Sequence, residues 1–162
     1  AQGFNMRVLY FSRRRHPEAE AALGAEYREL DQLLAESDVV SLHVPLTDQT
    51  HHLIGRRELE LMKPNAILIN VARGPVVDEA ALVEALKGGR LAGAGLDVYE
   101  AEPEMAPGLA ELSNVVLLPH VGSATHETRA KMAEMVATDL LDGLQGRRPA
   151  HLVNPEVWET KG

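Results

Sequence analysis

The sequence predicts an α/β fold built on a parallel sheet, and two observations carry that prediction. Short β-like runs alternate with helix-like runs along the chain. One of those runs, Ala66-Ile67-Leu68-Ile69-Asn70-Val71-Ala72, is nearly continuous apolar, as a strand covered on both faces of a parallel sheet should be. Strand and helix in alternation place parallel neighbours side by side through right-handed crossovers.

The elements follow in order. Arg7-Val8-Leu9-Tyr10-Phe11-Ser12 reads as a strand, followed by the basic run Arg13-Arg14-Arg15-His16 and a helix start at Pro17-Glu18. Leu30, Leu33 and Leu34 have helical spacing and lead into a second strand, Asp38 to Val44, which Pro45 stops. After the apolar run at 66–72, Asp78 opens a helix carrying Leu82, Val83 and Leu86, with Gly88-Gly89 as its stop. Ala92 to Tyr99 and Asn114 to Leu118 are two more strands, and Ser123 to Leu144 is a long amphipathic helix. The tail from Gly146 to Gly162 contains Pro149 and Pro155 and reads as largely irregular. Ala1 to Met6 resembles the end of a helix. A doubly wound nucleotide fold opens with a strand and a G-x-G-x-x-G turn. Neither is present here, so the expectation is a doubly wound sheet lacking its first strand and glycine-rich turn.

Composition narrows the function classes. The 162 residues carry 24 Asp+Glu against 16 Lys+Arg, a net charge of −8, which disfavours nucleic acid or a membrane surface as partner. No apolar run approaches the roughly 20 residues of a membrane span. No charged-then-apolar leader opens the sequence, so a cytoplasmic location is expected. The absence of cysteine excludes thiol catalysis, disulfides and Cys-ligated metal. None of the seven histidines forms a convincing metal motif with carboxylates at ligand spacing, so no metal is expected.

Chemistry concentrates at three strand ends, the edge where open α/β sheets bind ligands. Arg73-Gly74 follows the buried strand, where a guanidinium can take a carboxylate with two parallel bonds; the plainer reading is a surface arginine in a turn. Asp97, Glu100 and Glu102 lie close together past the next strand, and a bare cluster of this kind is more often a solvated loop. His120 ends a third strand before Gly122 and Ser123, and a lone histidine is more often structural than catalytic. Together the three change the balance. An arginine to hold a carboxylate, a histidine to exchange a proton with oxygen and a carboxylate to partner the imidazole suit a 2-oxo or 2-hydroxy acid. Hydride would come from a cofactor, because no side chain supplies one.

Five stretches carry a resemblance: Asp38 to Leu46 (DVVSLHVPL), Leu61 to Asn65 (LMKPN), Leu68 to Asp78 (LINVARGPVVD), Gly93 to Pro103 (GAGLDVYEAEP) and Leu118 to Arg129 (LPHVGSATHETR). In this order they resemble the D-isomer-specific 2-hydroxyacid dehydrogenases, and within them the glyoxylate/hydroxypyruvate reductase branch. The resemblance runs from Met6 onward. It implies a Rossmann-like α/β fold and reduction of a small 2-oxo acid to the D-2-hydroxy acid. It implies Arg73 as the substrate-binding arginine, Glu102 as the partner of the histidine and His120 as the acid/base, with Glu100 a nearby competitor for Glu102. Asp97 would lie beside the nicotinamide, and Val44, Pro45 and Thr50 would line the adenine and ribose side. Val71 and Ala72 would offer backbone to the nicotinamide region, and Gly122 and Ser123 would approach its carboxamide.

Cofactor choice follows from one strand end. NAD-preferring members of such folds place an acid there for the ribose 2′-hydroxyl. This chain has Ser12, Arg13 and Arg14, and hydroxyl plus guanidinium suit a 2′-phosphate, so NADP(H) is expected in preference to NAD(H).

Family members are about twice this length and carry a separate substrate domain. Residues 1–148 therefore read as a partial NAD(P)-binding domain, and 149–162 as a segment returning toward the substrate domain. The chain alone is expected to bind nucleotide weakly and to be inactive. A homodimer is the expected assembly. The competing reading is a non-catalytic remnant that dimerises or binds a partner, against which the retained trio Arg73, Glu102 and His120 argues. Phosphoglycerate and formate dehydrogenases are further branches, and Glu102 disfavours the latter.

Overall fold

The computed structural model describes residues 2–159. They fall into two compact units, up to His120 and from Val121 onward.

In the first unit a 3-10 turn over Gln2–Phe4 precedes strand β1, Leu9–Tyr10. Of the helix end expected over residues 1–6, Ala1 lies outside the described residues. Helix α1 spans Pro17–Leu23 with proline in its first turn, where a missing N–H costs nothing. Its C-terminal Gly24 takes the left-handed conformation. Strand β2, Glu26–Tyr27, pairs parallel with β1. This two-residue strand escaped the sequence reading because two residues are too short to show alternation. Its Glu26 receives Arg7 at 2.8 Å and Arg28 at 2.7 Å, which holds that carboxyl down at about 2.

Helix α2, Leu30–Glu36, leads into β3, Val39–Leu42. Helix α3, Arg56–Leu61, also went unread; its LEL sequence offers little helical spacing. Strand β4 is Ile67–Asn70, helix α4 is Glu79–Lys87, β5 is Gly93–Leu96 and β6 is Val115–Leu117. Asp78 caps α4 by accepting the Ala81 N–H at 2.9 Å. At the other end Gly89, with φ +67°, supplies the left-handed residue that turns the chain.

Strands β3, β4, β5 and β6 form a four-stranded parallel sheet in that order, each paired with its sequence neighbour. Strands β1 and β2 form a separate two-stranded sheet, so β1 has a partner on one side only. Among the described residues this is a parallel α/β architecture in which no strand precedes β1, as expected. The strands are shorter than the apolar runs that announced them, because pairing ends where the chain turns toward the strand-end loops.

One expectation fails. The run 66–72 is not covered on both faces. Leu68 and Asn70 are fully buried, whereas Ile67 is 40% exposed and Ile69 half-buried. The same alternation runs through β3, where Val40 and Leu42 are buried and Val39 is exposed. Helices α2, α3 and α4 supply Leu34, Leu59, Leu82 and Leu86 to the buried face, and these with Leu68, Leu91, Leu96 and Leu109 make the core. Each such leucine contributes about 1.5–3 kcal/mol by leaving water.

In the second unit helix α5 spans His126–Leu144. It starts later than Ser123 because Thr125 is extended and its hydroxyl accepts the Thr128 N–H at 3.1 Å, a normal N-cap. Met132, Val136, Leu140 and Leu144 recur at four-residue spacing and are exposed. The segment after α5 folds back on it: the Ala150 N–H and His151 ring both reach the Asp139 carboxylate, at 3.0 and 2.9 Å. The tail is largely irregular, as expected, apart from a last turn of helix, α6 (Glu156–Glu159).

Candidate active site

The three strand ends do converge. After β4 the buried Asn70 shapes the turn that presents Arg73. Its side-chain oxygen accepts the Ala72 N–H at 3.1 Å, and its amide donates to the Arg73 carbonyl at 3.0 Å. Arg73 itself donates to the Ala72 carbonyl at 2.6 Å and stays exposed. Next, Gly74 opens a 3-10 turn, Gly74–Val76, pressed against the loop after β5. A Cβ on Gly74 would lie 1.7 Å from the Tyr99 carbonyl oxygen and 2.5 Å from the Glu100 nitrogen, so only glycine fits. Asn70 was missed as a site residue. Its signal was a lone amide closing an otherwise apolar strand.

In the loop after β5, Glu102 accepts the Tyr99 N–H at 3.0 Å through one oxygen and takes the His120 Nδ1–H at 2.9 Å through the other. Tyr99 in turn donates its hydroxyl to the Leu118 carbonyl at 2.8 Å, tying that loop to the end of β6. The bond from His120 is the largest cause that holds the Glu102 carboxyl below the usual carboxylate range. The Tyr99 N–H adds to it, burial opposes it, and the charges of His120 and Arg73 contribute the rest. With Nδ1 committed to Glu102, Nε2 is the nitrogen left for proton exchange. The His120 side chain is half exposed and its backbone sits at φ +52°, a left-handed conformation uncommon outside glycine.

Glu100, the alternative partner, points elsewhere. One of its oxygens meets His52 Nε2 at 2.7 Å and the other accepts the Glu79 N–H at 3.1 Å. Nothing in the sequence singles His52 out from the other histidines. Asp97 is buried and its N–H donates to the Asn70 carbonyl at 3.0 Å. Buried Glu79 accepts the Ala106 N–H at 2.6 Å, and burial pushes its carboxyl up.

A second feature is a cavity of about 1350 Å³ in the same unit, lined among others by Ser12, Arg13, Val44, Pro45 and Thr50. Thr50 donates to the Pro45 carbonyl at 2.6 Å and accepts the Thr47 N–H at 2.8 Å, which fixes the loop after β3. Arg15 is taken by Glu20 at 2.6 Å, whereas Arg13 and Arg14 are exposed and make no hydrogen bond among the described residues. Ser12 lies 3.4 Å from the His16 ring. Arg14, Val71, Ala72 and Asp97 do not line this cavity. Ala72 is buried with its N–H and carbonyl both engaged within the turn, and Val71 is exposed. Gly122 and Ser123 belong to the second unit.

Residues 1–122 match the family model of the D-isomer specific 2-hydroxyacid dehydrogenase NAD binding domain. The chain belongs to this family. It is 59% identical over 157 residues to a glyoxylate reductase of Thermococcus litoralis, covering 97% of this chain and 47% of that protein. It is 55% identical over 156 residues to a glyoxylate/hydroxypyruvate reductase B of an Enterobacter species, covering 96% and 48%. The chain therefore spans about half the length of the curated relatives it matches. Among solved structures, it resembles a glyoxylate reductase from Paecilomyes thermophila with TM-score 0.79 and 44% identity, covering 87% of this chain and 43% of that one. An NADPH-dependent glyoxylate/hydroxypyruvate reductase from Sinorhizobium meliloti, in complex with NADP and malonate, aligns with TM-score 0.80 and 39% identity over 87% of this chain and 43% of that one. Among the described residues no helix is long and apolar enough to cross a membrane.

Proposed function

We propose that this chain carries the acid/base and cofactor-binding side of a reductase that converts a small 2-oxo acid, glyoxylate or hydroxypyruvate, to the D-2-hydroxy acid with NADP(H). The observation that carries this is the His120–Glu102 pair at 2.9 Å, with Arg73 close enough for its charge to act on Glu102.

The residues fit a phosphorylated dinucleotide. The cavity is lined by Ser12 and Arg13 at one strand end and by Val44, Pro45 and Thr50 at another, with apolar surface for a base and a guanidinium free to meet a 2′-phosphate. Arg14 stands beside it in sequence, also unpaired. When bound, the cofactor supplies the hydride. The protein does the rest. Arg73 holds the substrate carboxylate, and Glu102 fixes the His120 ring with Nδ1–H inward and Nε2 outward. His120 delivers a proton from Nε2 to the carbonyl oxygen as negative charge develops there. Asp97, Val71 and Ala72 are the further residues proposed along the nicotinamide side.

Glyoxylate-dependent oxidation of NADPH tests the reaction, with His120→Gln expected to cut kcat by about 10²–10⁴-fold. Because the chain alone is expected not to turn over, the assay is run with it in place of the matching half of a full-length relative. No oxidation by that unaltered chimaera, or an undiminished rate in the variant, overturns the reading. Calorimetry with 2′,5′-ADP against 5′-AMP tests cofactor choice separately. Tighter binding of 2′,5′-ADP is expected, and Ser12→Asp should abolish the preference; equal binding of the two nucleotides by the unaltered chain refutes it.

A further inference from the structure

The loop after β5 carries two glutamates two residues apart, and each grips a different histidine. Glu102 holds His120 at 2.9 Å and Glu100 holds His52 at 2.7 Å. Among the described residues only three non-glycine residues have positive φ: Asn5, His52 at +50° and His120 at +52°. Such backbone persists where its surroundings over-determine it, and it clusters at functional sites. Two of the three are the histidines that grip this loop.

His52 is fixed from several sides. Its N–H donates to the Pro75 carbonyl at 2.8 Å, within the turn that Arg73 precedes. Two residues on, Ile54 exchanges bonds with the same turn, donating to Val76 at 3.1 Å and accepting from Asp78 at 3.0 Å. His51 stacks on the His52 ring with centroids 4.1 Å apart. Glu100 is equally committed, since its second oxygen accepts the first N–H of α4. Gly74 completes the circuit by lying against the Tyr99 and Glu100 backbone. Three segments are thus tied pairwise: the His52 segment to the Arg73 turn, the Arg73 turn to the Glu102 loop, and the Glu102 loop back to His52.

We propose that His52, through Glu100, is a positioning residue that locks the Glu102 loop against the Arg73 turn and so sets the geometry of the His120–Glu102 pair. The functional importance of this rests on the reductase reading; the lock itself does not. His52 touches neither Glu102 nor His120 and acts through the two residues between Glu100 and Glu102. Opening it lets the loop relax, and the Tyr99 N–H and His120 bonds that hold the Glu102 carboxyl down weaken together.

The test uses the whole chain with ¹³C-labelled glutamate, the Glu102 carboxyl signal being assigned by its loss in Glu102→Gln. In His52→Ala the Glu102 titration is expected to move up toward the ordinary carboxylate range, and the Tyr99 amide to exchange faster. His52→Gln, which can still donate to Glu100, should restore both. A merely structural role would lower the melting temperature and leave the Glu102 titration in place. If His52→Ala fails to fold, His52→Phe decides the matter, because it keeps a ring against His51 while leaving no group to bond the Glu100 carboxylate. An unchanged Glu102 titration and Tyr99 exchange rate in a folded variant overturn the proposal. These signals are read without substrate, so they succeed or fail apart from the reductase reading. Where glyoxylate is turned over, His52→Ala should reduce kcat by about 10- to 100-fold, as small displacements of catalytic groups do.

Discussion

Replacing Gly74 by alanine is the sharpest perturbation the structure offers. The added Cβ would sit 1.7 Å from the Tyr99 carbonyl oxygen and 1.9 Å from its carbon, about half the 3.4 Å at which ordinary contact begins. The obstacle is backbone on both sides, so no side chain can rotate away. Overpacking in a close-packed interior costs about 1–3 kcal/mol when side chains absorb it. A clash between two backbones belongs at or above the upper end, about 3 kcal/mol. For a chain of this size that lowers Tm by about 6–12 °C, at 2–4 °C per kcal/mol. The displacement also has a direction. It pushes the Arg73 turn away from the loop bearing Glu102, so binding of a carboxylate substrate should weaken more than binding of nucleotide. Thermal unfolding by circular dichroism reads the first effect and calorimetry with glyoxylate the second. A variant that melts within 1–2 °C of the unaltered chain, where a cost of about 3 kcal/mol requires several degrees, would refute the packing argument.

Two further outcomes follow from single contacts. The Glu102 carboxyl titrates below its ordinary 4.5 in the folded chain, chiefly through the bond from His120, so that contribution to stability is present above about pH 4.5 and is lost as pH falls through the folded value. Comparing denaturant midpoints of the chain and His120→Gln between pH 7 and pH 3 should show the gap closing on acidification; a gap that widens would contradict the assignment. Asp78→Ala removes the cap that accepts the Ala81 N–H and should cost about 1 kcal/mol, with Asp78→Asn nearly neutral. Equal midpoints for Asp78→Ala and the unaltered chain would show that α4 does not depend on this cap.

Much of the fold could be read from sequence where the signal was local. The leucines at 30, 33 and 34, the Asp78 cap and the glycines after Lys87 each act within a few residues of themselves, and the helices stand where those residues put them. Strands β3 to β6 were legible because apolar runs mark buried backbone. Strand β2 and helix α3 were not, being too short to show a period. The coverage of 66–72 is not legible in its letters, because β-branched and aliphatic residues report strand propensity on both faces, whether or not both are covered.

The sequence by itself determined the chemical vocabulary of this protein: no cysteine, an acidic balance, and an arginine, a glutamate pair and a histidine at successive strand ends. Tertiary structure decided which groups meet. Glu100 and Glu102 stand two letters apart and spacing alone does not rank them, although the family resemblance favoured Glu102; the fold gives Glu100 to His52 and Glu102 to His120. Similarly, Arg13, Arg14 and Arg15 form one basic run until Glu20, on the next helix, takes Arg15 and leaves the other two without a partner among the described residues. The physical reason is the same in both cases. Residue type and spacing set local backbone preference, whereas a hydrogen bond or ion pair needs two groups within about 3 Å, a distance fixed only when the sheet has brought separate segments together.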